Sequence, residues 1–523
     1  MSMKFLINLV ECVVAKCTRQ GAARILLDLL ETGIEKLEAL HRVYEDQILM
    51  YGAQKSAGSP APLLSFVTVE RLKPTDALSY VLEPQEVVIK GGRQYPGTQS
   101  YPLPNYFSDL RLLFWTLQHG LKTILHSLQG VEASPPDSEL MGKLMEAGIK
   151  CLALYERWPT EPHEEDFLDR FSQVFSEMAP AVFQEVWSLK IPFFMERLLD
   201  HPNILHLPHL LMSNENMSKP LVSLMLRHLM GQLDSLGEQD TKHAAATLRM
   251  FKICFVGATS FPEQNEIVLL PHVPRLIVDS FPLAAKSSEP THYYLLLRAL
   301  FRAIGGHKFD NLYKEVLPLL QEMLENLNRL LLASVNNANI RDLISELCLT
   351  VPVKLTYLLP YLHHLMKPLV FALRAGPELV VQGLRTLELC IDNLTPEFLD
   401  PTLNPVLRDL MGALHNLLKP FPANHMSAHV TIRILGKLGG RNRRLHYEPP
   451  RLEYRTQEDE TNLLMSFDAR IERVDISAIC ALAAKTIRHS NPVYRAHAYE
   501  VLKSSLAVVL SKVRSNRFPS SYC

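Results

Sequence analysis

Apolar residues recur along the chain at steps of three and four, the spacing that gathers them on one face of an α-helix. Between Leu379 and Leu394, the residues Val380, Leu384, Leu387, Ile391 and Leu394 advance this way and predict one amphipathic helix. Leu355–Leu373 predicts its neighbour, broken or bent near Pro360 and Pro368, where proline removes a backbone donor. Thr395-Pro396-Glu397 reads as an N-cap, a first-turn proline and a first-turn acid, which start another helix. His429–Gly440 predicts a further one, ending on a glycine pair. Earlier in the chain the pattern predicts helices over Lys4–Lys16, Ala22–Met50, Tyr106–Leu128, Glu139–Trp158, His163–Met178, Pro180–Leu199 and Pro220–Leu236. Ile476–His489 and Pro492–Leu510 predict a last pair.

An apolar-Arg pair recurs in these helices, with its arginine at Arg249, Arg298, Arg341, Arg385 and Arg433, at spacings of 49, 43, 44 and 48 residues. Helical repeats of the HEAT type run at about 40–47 residues, so short insertions reconcile the two. The unbroken succession of amphipathic helices with short connections carries more weight than the count, since similar pairs occur off register. The expectation is an all-α chain, a HEAT-like α-solenoid of stacked helical pairs with irregular insertions. Its expected division is a helical pair over 1–51, a loop or linker over 52–106, HEAT-like repeats over 107–440, an insertion over 441–475, a helical pair over 476–511 and a tail over 512–523. Within the insertion, Leu452–Arg455 and Leu463–Phe467 are expected to pair as a small β-hairpin. No polar capping repeat closes the pattern at either end, which a solenoid normally needs, so a segment of a longer protein is expected.

Composition narrows the function. The 523 residues exceed one compact core, but a solenoid buries each repeat only against its neighbours. With 54 basic and 55 acidic residues the charge is balanced, so no global field favours nucleic acid or a membrane surface. The eight cysteines are scattered without a CxxC pair and read as free thiols in a reducing compartment. Glu11 interrupts the apolar start, so a signal peptide is not expected, and no apolar run reaches about 18 residues.

The search for chemistry is nearly empty. GxGxxG, P-loop, GxSxG and kinase HRD and DFG motifs are absent, so nothing supplies a phosphate cradle, a nucleophile or a metal-holding acid. His201, His206 and His209 lack the i, i+4 spacing that brings two imidazoles to one helix face, and read as ordinary histidines. No catalytic residue, cofactor or metal is therefore expected. Lys437, Arg441, Arg443 and Arg444 cluster around a predicted helix C-terminus. They fit favourable interaction with the helix's negative end plus solvation. They also fit a patch that receives an acidic partner segment by charge-assisted hydrogen bonds, with Tyr447 and Tyr454 adding apolar contact.

Gln382–Leu394 (QGLRTLELCIDNL) and the stretch from His429-Val430 through Ile434–Gly440 (ILGKLGG) to Asn442-Arg443 resemble a known family. It comprises the transformation/transcription domain-associated proteins and their fungal relatives. Lys354–Leu362, Lys314–Leu320, Leu6–Cys12 and Tyr494-Arg495 with Tyr499–Val501 are also similar, so the likeness spans most of the chain. The resemblance implies a nuclear, non-catalytic scaffold of SAGA-type or other nucleosome-acetylating complexes. It further implies transcription activators and other acetyltransferase-complex subunits as partners. The family's FAT and kinase-like domains are not represented in these residues. A HEAT solenoid also fits a karyopherin-like transport receptor, the alternative reading, against which the balanced charge weighs.

Overall fold

The computed structural model describes residues 3–56, 103–131, 135–155, 165–305, 308–334, 336–352, 355–417, 425–440, 462–467, 470–490, 492, 495–496, 498–499 and 502–503. The chain forms two compact units, Met1–His272 and Val273–Cys523.

The first unit holds α1 (Met3–Lys16), α2 (Arg19–Ser56), α3 (Leu103–Gly130), α4 (Ser138–Tyr155), α5 (Glu165–Ser176), α6 (Pro180–Asp200), α7 (His206–Met212), α8 (Glu215–Gly231), α9 (Thr241–Ala258) and α10 (Pro262–Leu269). Helices α1, α3, α5 and α7 pack one on the next, and α2, α4, α6 and α8 form a second row beside them. This is the arrangement expected of stacked pairs that cannot bury their apolar faces alone. On α2 the buried stripe is Leu26, Leu30, Ile34, Leu37 and Leu40, again at steps of three and four. Trp187 on α6 is fully buried among the rings of Phe175, Phe183 and Phe194, at centroid distances of 6.4, 6.1 and 5.6 Å.

Helix boundaries differ from the expected ones in several places. The loop expected over 52–106 starts no earlier than residue 57, because α2 continues through Ser56, and α3 begins already at Leu103. Pro104 is compatible with that start, since a first-turn proline removes a donor with no helical partner. Residues 57–102 lie outside the described ones. Helix α8 begins five residues before Pro220, where Asn214 caps it by accepting a hydrogen bond from the Asn216 amide at 3.0 Å.

The second unit holds α11 (Val273–Lys286), α12 (Thr291–Ile304), α13 (Asp310–Val316), α14 (Leu320–Ala333), α15 (Ala338–Leu349), α16 (Leu355–Leu358), α17 (Leu362–Ala372), α18 (Pro377–Asn393), α19 (Pro396–Leu403), α20 (Leu407–Leu417), α21 (His425–Gly440) and α22 (Ile476–Thr486). Helices α12, α15, α18 and α21 form one row and α11, α14, α17 and α20 the other. The arginines at 298, 341, 385 and 433 each fall on a helix of the first of these rows. Val380, Leu384, Leu387 and Ile391 are buried, while Leu394 caps α18 in an extended conformation.

The second row is jointed. Short 3-10 turns at Leu317–Leu319, Leu359–Tyr361 and Asn404–Val406 separate α13 from α14, α16 from α17 and α19 from α20. Each contains one proline, Pro318, Pro360 or Pro405, which cannot donate to the helical ladder. The break expected at Pro360 is present, whereas Pro368 stays inside α17.

Strands β1 (Asn462–Phe467) and β2 (Arg470–Asp475) pair antiparallel, from Asn462 opposite Asp475 to Phe467 opposite Arg470. The expected hairpin thus contains Leu463–Phe467, but its partner is Arg470–Asp475, not Leu452–Arg455. The two strands are only two residues apart in the sequence, so their pairing carries little loop-closure cost. Leu452–Arg455, the predicted helix beyond Pro492 and the 512–523 tail lie wholly or mostly outside the described residues.

Candidate interaction surface

The sequence points to the end of α21. Arg433 and Lys437 stand four residues apart on one face of this helix, and both reach α18. Arg433 donates two hydrogen bonds to the Glu388 carboxylate, Nε to Oε1 at 2.7 Å and Nη2 to Oε2 at 2.8 Å. Lys437 Nζ donates to Glu388 Oε1 at 2.7 Å and to Asp392 Oδ2 at 2.8 Å. Burial by itself would raise the Glu388 carboxyl. Hydrogen bonds from Arg433 and Lys437, and their charges, outweigh it and hold the pKa below the ordinary glutamate value. Burial likewise opposes the Lys437 charge, but Asp392 and Glu388 hold its pKa above the ordinary lysine value.

Lys437 is therefore already engaged by two carboxylates of its neighbour. Arg441, Arg443 and Arg444, which follow α21 in the sequence, lie outside the described residues, as do Tyr447 and Tyr454. Sequence reasoning missed Arg433, Glu388 and Asp392 as members of this cluster. Their partners lie 45 and 49 residues away, beyond the reach of any local pattern.

The same bracing recurs. Arg302 Nε donates to Glu346 Oε1 at 2.7 Å across 44 residues, with Arg298 at 3.7 Å from the same carboxylate. In the first unit Lys190 pairs with Glu146, again 44 residues apart. These separations match one helical repeat, so each pair ties a helix to its counterpart in the next repeat. A cavity of about 790 Å³ opens over α15, between α12 and the start of α18. Its cations Arg298 and Arg302 are committed to Glu346, which is buried.

Glu388 gives a pH signature. A carboxyl held low in the folded state contributes stability above its unfolded pKa of about 4.3, and loses it as pH falls through the lower folded value. Glu388→Gln should lower Tm at neutral pH and converge on the parent below about pH 4. Thermal melts of both proteins across a pH series test this, and a pH-independent difference would count against the brace.

Chemistry elsewhere is sparse. Among the described residues no three His, Cys, Asp or Glu side chains converge as a metal set. His201 is buried where α6 ends, while His206 and His209 are exposed. Burial pushes the Cys390 thiol up to about 11 and also raises Cys151, Cys254 and Cys348, which makes all four poor nucleophiles. Among the described residues no single helix is long and apolar enough to cross a membrane.

Comparison with known proteins agrees with this architecture. The Tra1 HEAT repeat central region matches residues 1–421, and the Tra1 HEAT repeat ring region matches residues 433–521. The SAGA complex/NuA4 acetyltransferase complex subunit TRA1 of Saccharomyces cerevisiae is 32% identical over 100% of this chain and 16% of its own length. The transformation/transcription domain-associated proteins of Danio rerio and Homo sapiens are 32% and 31% identical, each over 98% of this chain and 14% of their own length. This chain thus spans a small fraction of the curated relatives it matches. It belongs to the family of Tra1 and the transformation/transcription domain-associated proteins, and what it carries of that family is HEAT-repeat sequence.

Proposed function

We propose that this chain is helical-repeat scaffold of a transcription-associated subunit in SAGA- or NuA4-type acetyltransferase complexes, working in the nucleus. The observation that carries the reading is the 32% identity across the whole chain to a subunit of that name. Its work is binding. Stacked helices offer extended surface to other complex subunits and to activators, and no step of catalysis is assigned to it. Acidic activation segments, disordered when free, dock and fold on it by laying an amphipathic face into a groove.

The acid-receiving patch is Arg441, Arg443 and Arg444, while Lys437 is engaged by Glu388 and Asp392. Lys437 and Arg433 hold α21 to α18 through Glu388, which fixes the helix end from which the three arginines follow. Charge reversal of all three arginines to Glu should weaken an acidic activation-domain peptide by about ten-fold or more in a fluorescence titration. Unchanged affinity would reject the patch. The complex assignment is tested separately, by tagging the endogenous gene and identifying its nuclear companions by mass spectrometry. Absence of acetyltransferase subunits would reject it.

A further inference from the structure

The ties between neighbouring repeats of the second unit leave a gap. In the first row, Arg298 and Arg302 hold α12 to α15 through Glu346, and Arg433 and Lys437 hold α21 to α18 through Glu388. In the second row, Asn328 on α14 donates to the His364 carbonyl of α17 at 2.9 Å. Arg374, just beyond α17, donates to the Asp409 carboxylate of α20 at 2.9 Å. Between α15 and α18, among the described residues, there is neither a hydrogen bond nor an ion pair. These two helices also touch less extensively than α12 and α15 or α18 and α21 do. The cavity of about 790 Å³ opens at the same junction, with Asp342 of α15 on one wall and Glu378 and Gln382 of α18 on another. Missing ties, thin contact and open space thus coincide at one seam.

Both helices rest instead on α17. Helix α15 packs along it, with the Arg341 guanidinium carbon 5.4 Å from the centroid of the Phe371 ring, within cation–π range. Helix α18 comes closest at Gly383, where an added Cβ would stand 3.3 Å from both Ala372 Cβ and Leu373 Cδ2. A helix seated closely at one point, without lateral ties, can tilt there. Packed interfaces shift as bodies between discrete arrangements and do not deform continuously. The cavity walls carry what a second arrangement would use. Asp342 Oδ1 is buried and accepts no hydrogen bond, which is costly for a carboxylate. Arg341 Nε, 3.7 Å away, is too far to donate to it. The Gln382 amide carries two donors and lines the same cavity from α18.

We propose that the seam between α15 and α18 is a hinge within the second unit. Helices α12 and α15 move as one braced block and α18 and α21 as another, and α18 tilts on α17 at Gly383 until the Gln382 amide donates to Asp342. Each block keeps its own ion pairs throughout, so neither opening nor closing breaks one. Closure turns the end of α21 relative to α12. This goes beyond the preceding reading, because it concerns motion inside one unit and requires no partner. The test places spin labels at Thr291→Cys on α12 and Glu378→Cys on α18, which flank the cavity. The whole chain is used, with Cys12, Cys17, Cys480 and Cys523 replaced by Ser so that only buried native thiols remain. The expected distance distribution in this parent is broad or two-peaked. Gln382→Arg, which gives Asp342 a cationic partner across the seam, should narrow it and shorten the mean by about 2 Å or more, the scale of helix shifts in switching proteins. Adding Asp342→Asn should undo that change. Labels at Thr291→Cys and Asn339→Cys, both inside the α12–α15 block, should give one narrow distance that Gln382→Arg leaves unaltered. Should Gln382→Arg disturb folding by circular dichroism, Gln382→Lys gives the same reading with a smaller head group. A single narrow distribution in the parent overturns the proposal, as does a broad one that the charged variants leave unchanged. A shift that survives Asp342→Asn, or an equal shift inside the α12–α15 block, also overturns it.

Discussion

Trp187→Ala should destabilise the first unit by about 3–5 kcal/mol, the range for deleting a large buried aromatic side chain. Trp187 has no exposed surface, and Phe175, Phe183 and Phe194 form its walls. These rings come from two helices, α5 and α6, so their collapse into the vacancy would have to move both backbones. Trp187→Phe should cost much less, under about 2 kcal/mol, for a reason specific to this site. The indole Nε1 is buried without a hydrogen-bond partner, so replacing Trp by Phe removes an unpaired donor along with some packing. Thermal melts should show a Tm drop of about 6 °C or more for the alanine variant and a clearly smaller one for phenylalanine. Equal losses would mean that the indole ring's full width, and not its aromatic filling alone, supports the unit.

Gly148→Ala should also destabilise the protein, by about 1–3 kcal/mol, although alanine is the better helix former by about 1 kcal/mol. Gly148 lies within α4, and a Cβ placed there would overlap the ring of Phe171 on α5. Phe171 is itself fully buried and stands edge-on to Phe175, with centroids 4.9 Å apart, so it cannot swing aside. A double variant with Phe171→Leu tests the cause. If the clash is responsible, Gly148→Ala should cost less in the Phe171→Leu background than in the parent, as read in a double-mutant cycle of melts. Additive losses would point to the helix and not to the ring.

The elements of this fold were legible because period and punctuation are local. Val380, Leu384, Leu387 and Ile391 announce the buried face of α18. Pro360 announces the break before α17. What escaped was tertiary pairing. Lys437 shows its charge in the sequence, but Glu388 stands 49 residues away, and only the stacking of repeats brings them together. The reading of Lys437 as open to a partner therefore missed its neighbours. The hairpin's second strand was missed for another reason. Arg470–Asp475 carries four charges in six residues and has little of the apolar alternation that marks a strand.

The proline joints have a mechanical consequence for the second unit. One row consists of α12, α15, α18 and α21, with ion pairs linking α12 to α15 and α18 to α21. The other is interrupted once per repeat, at Pro318, Pro360 and Pro405, where the ladder of backbone hydrogen bonds is already incomplete. Each joint lies within one helical arm, across the stack, so a bend there costs no ladder hydrogen bond beyond those already missing and re-aims only the part of the arm on one side of its proline.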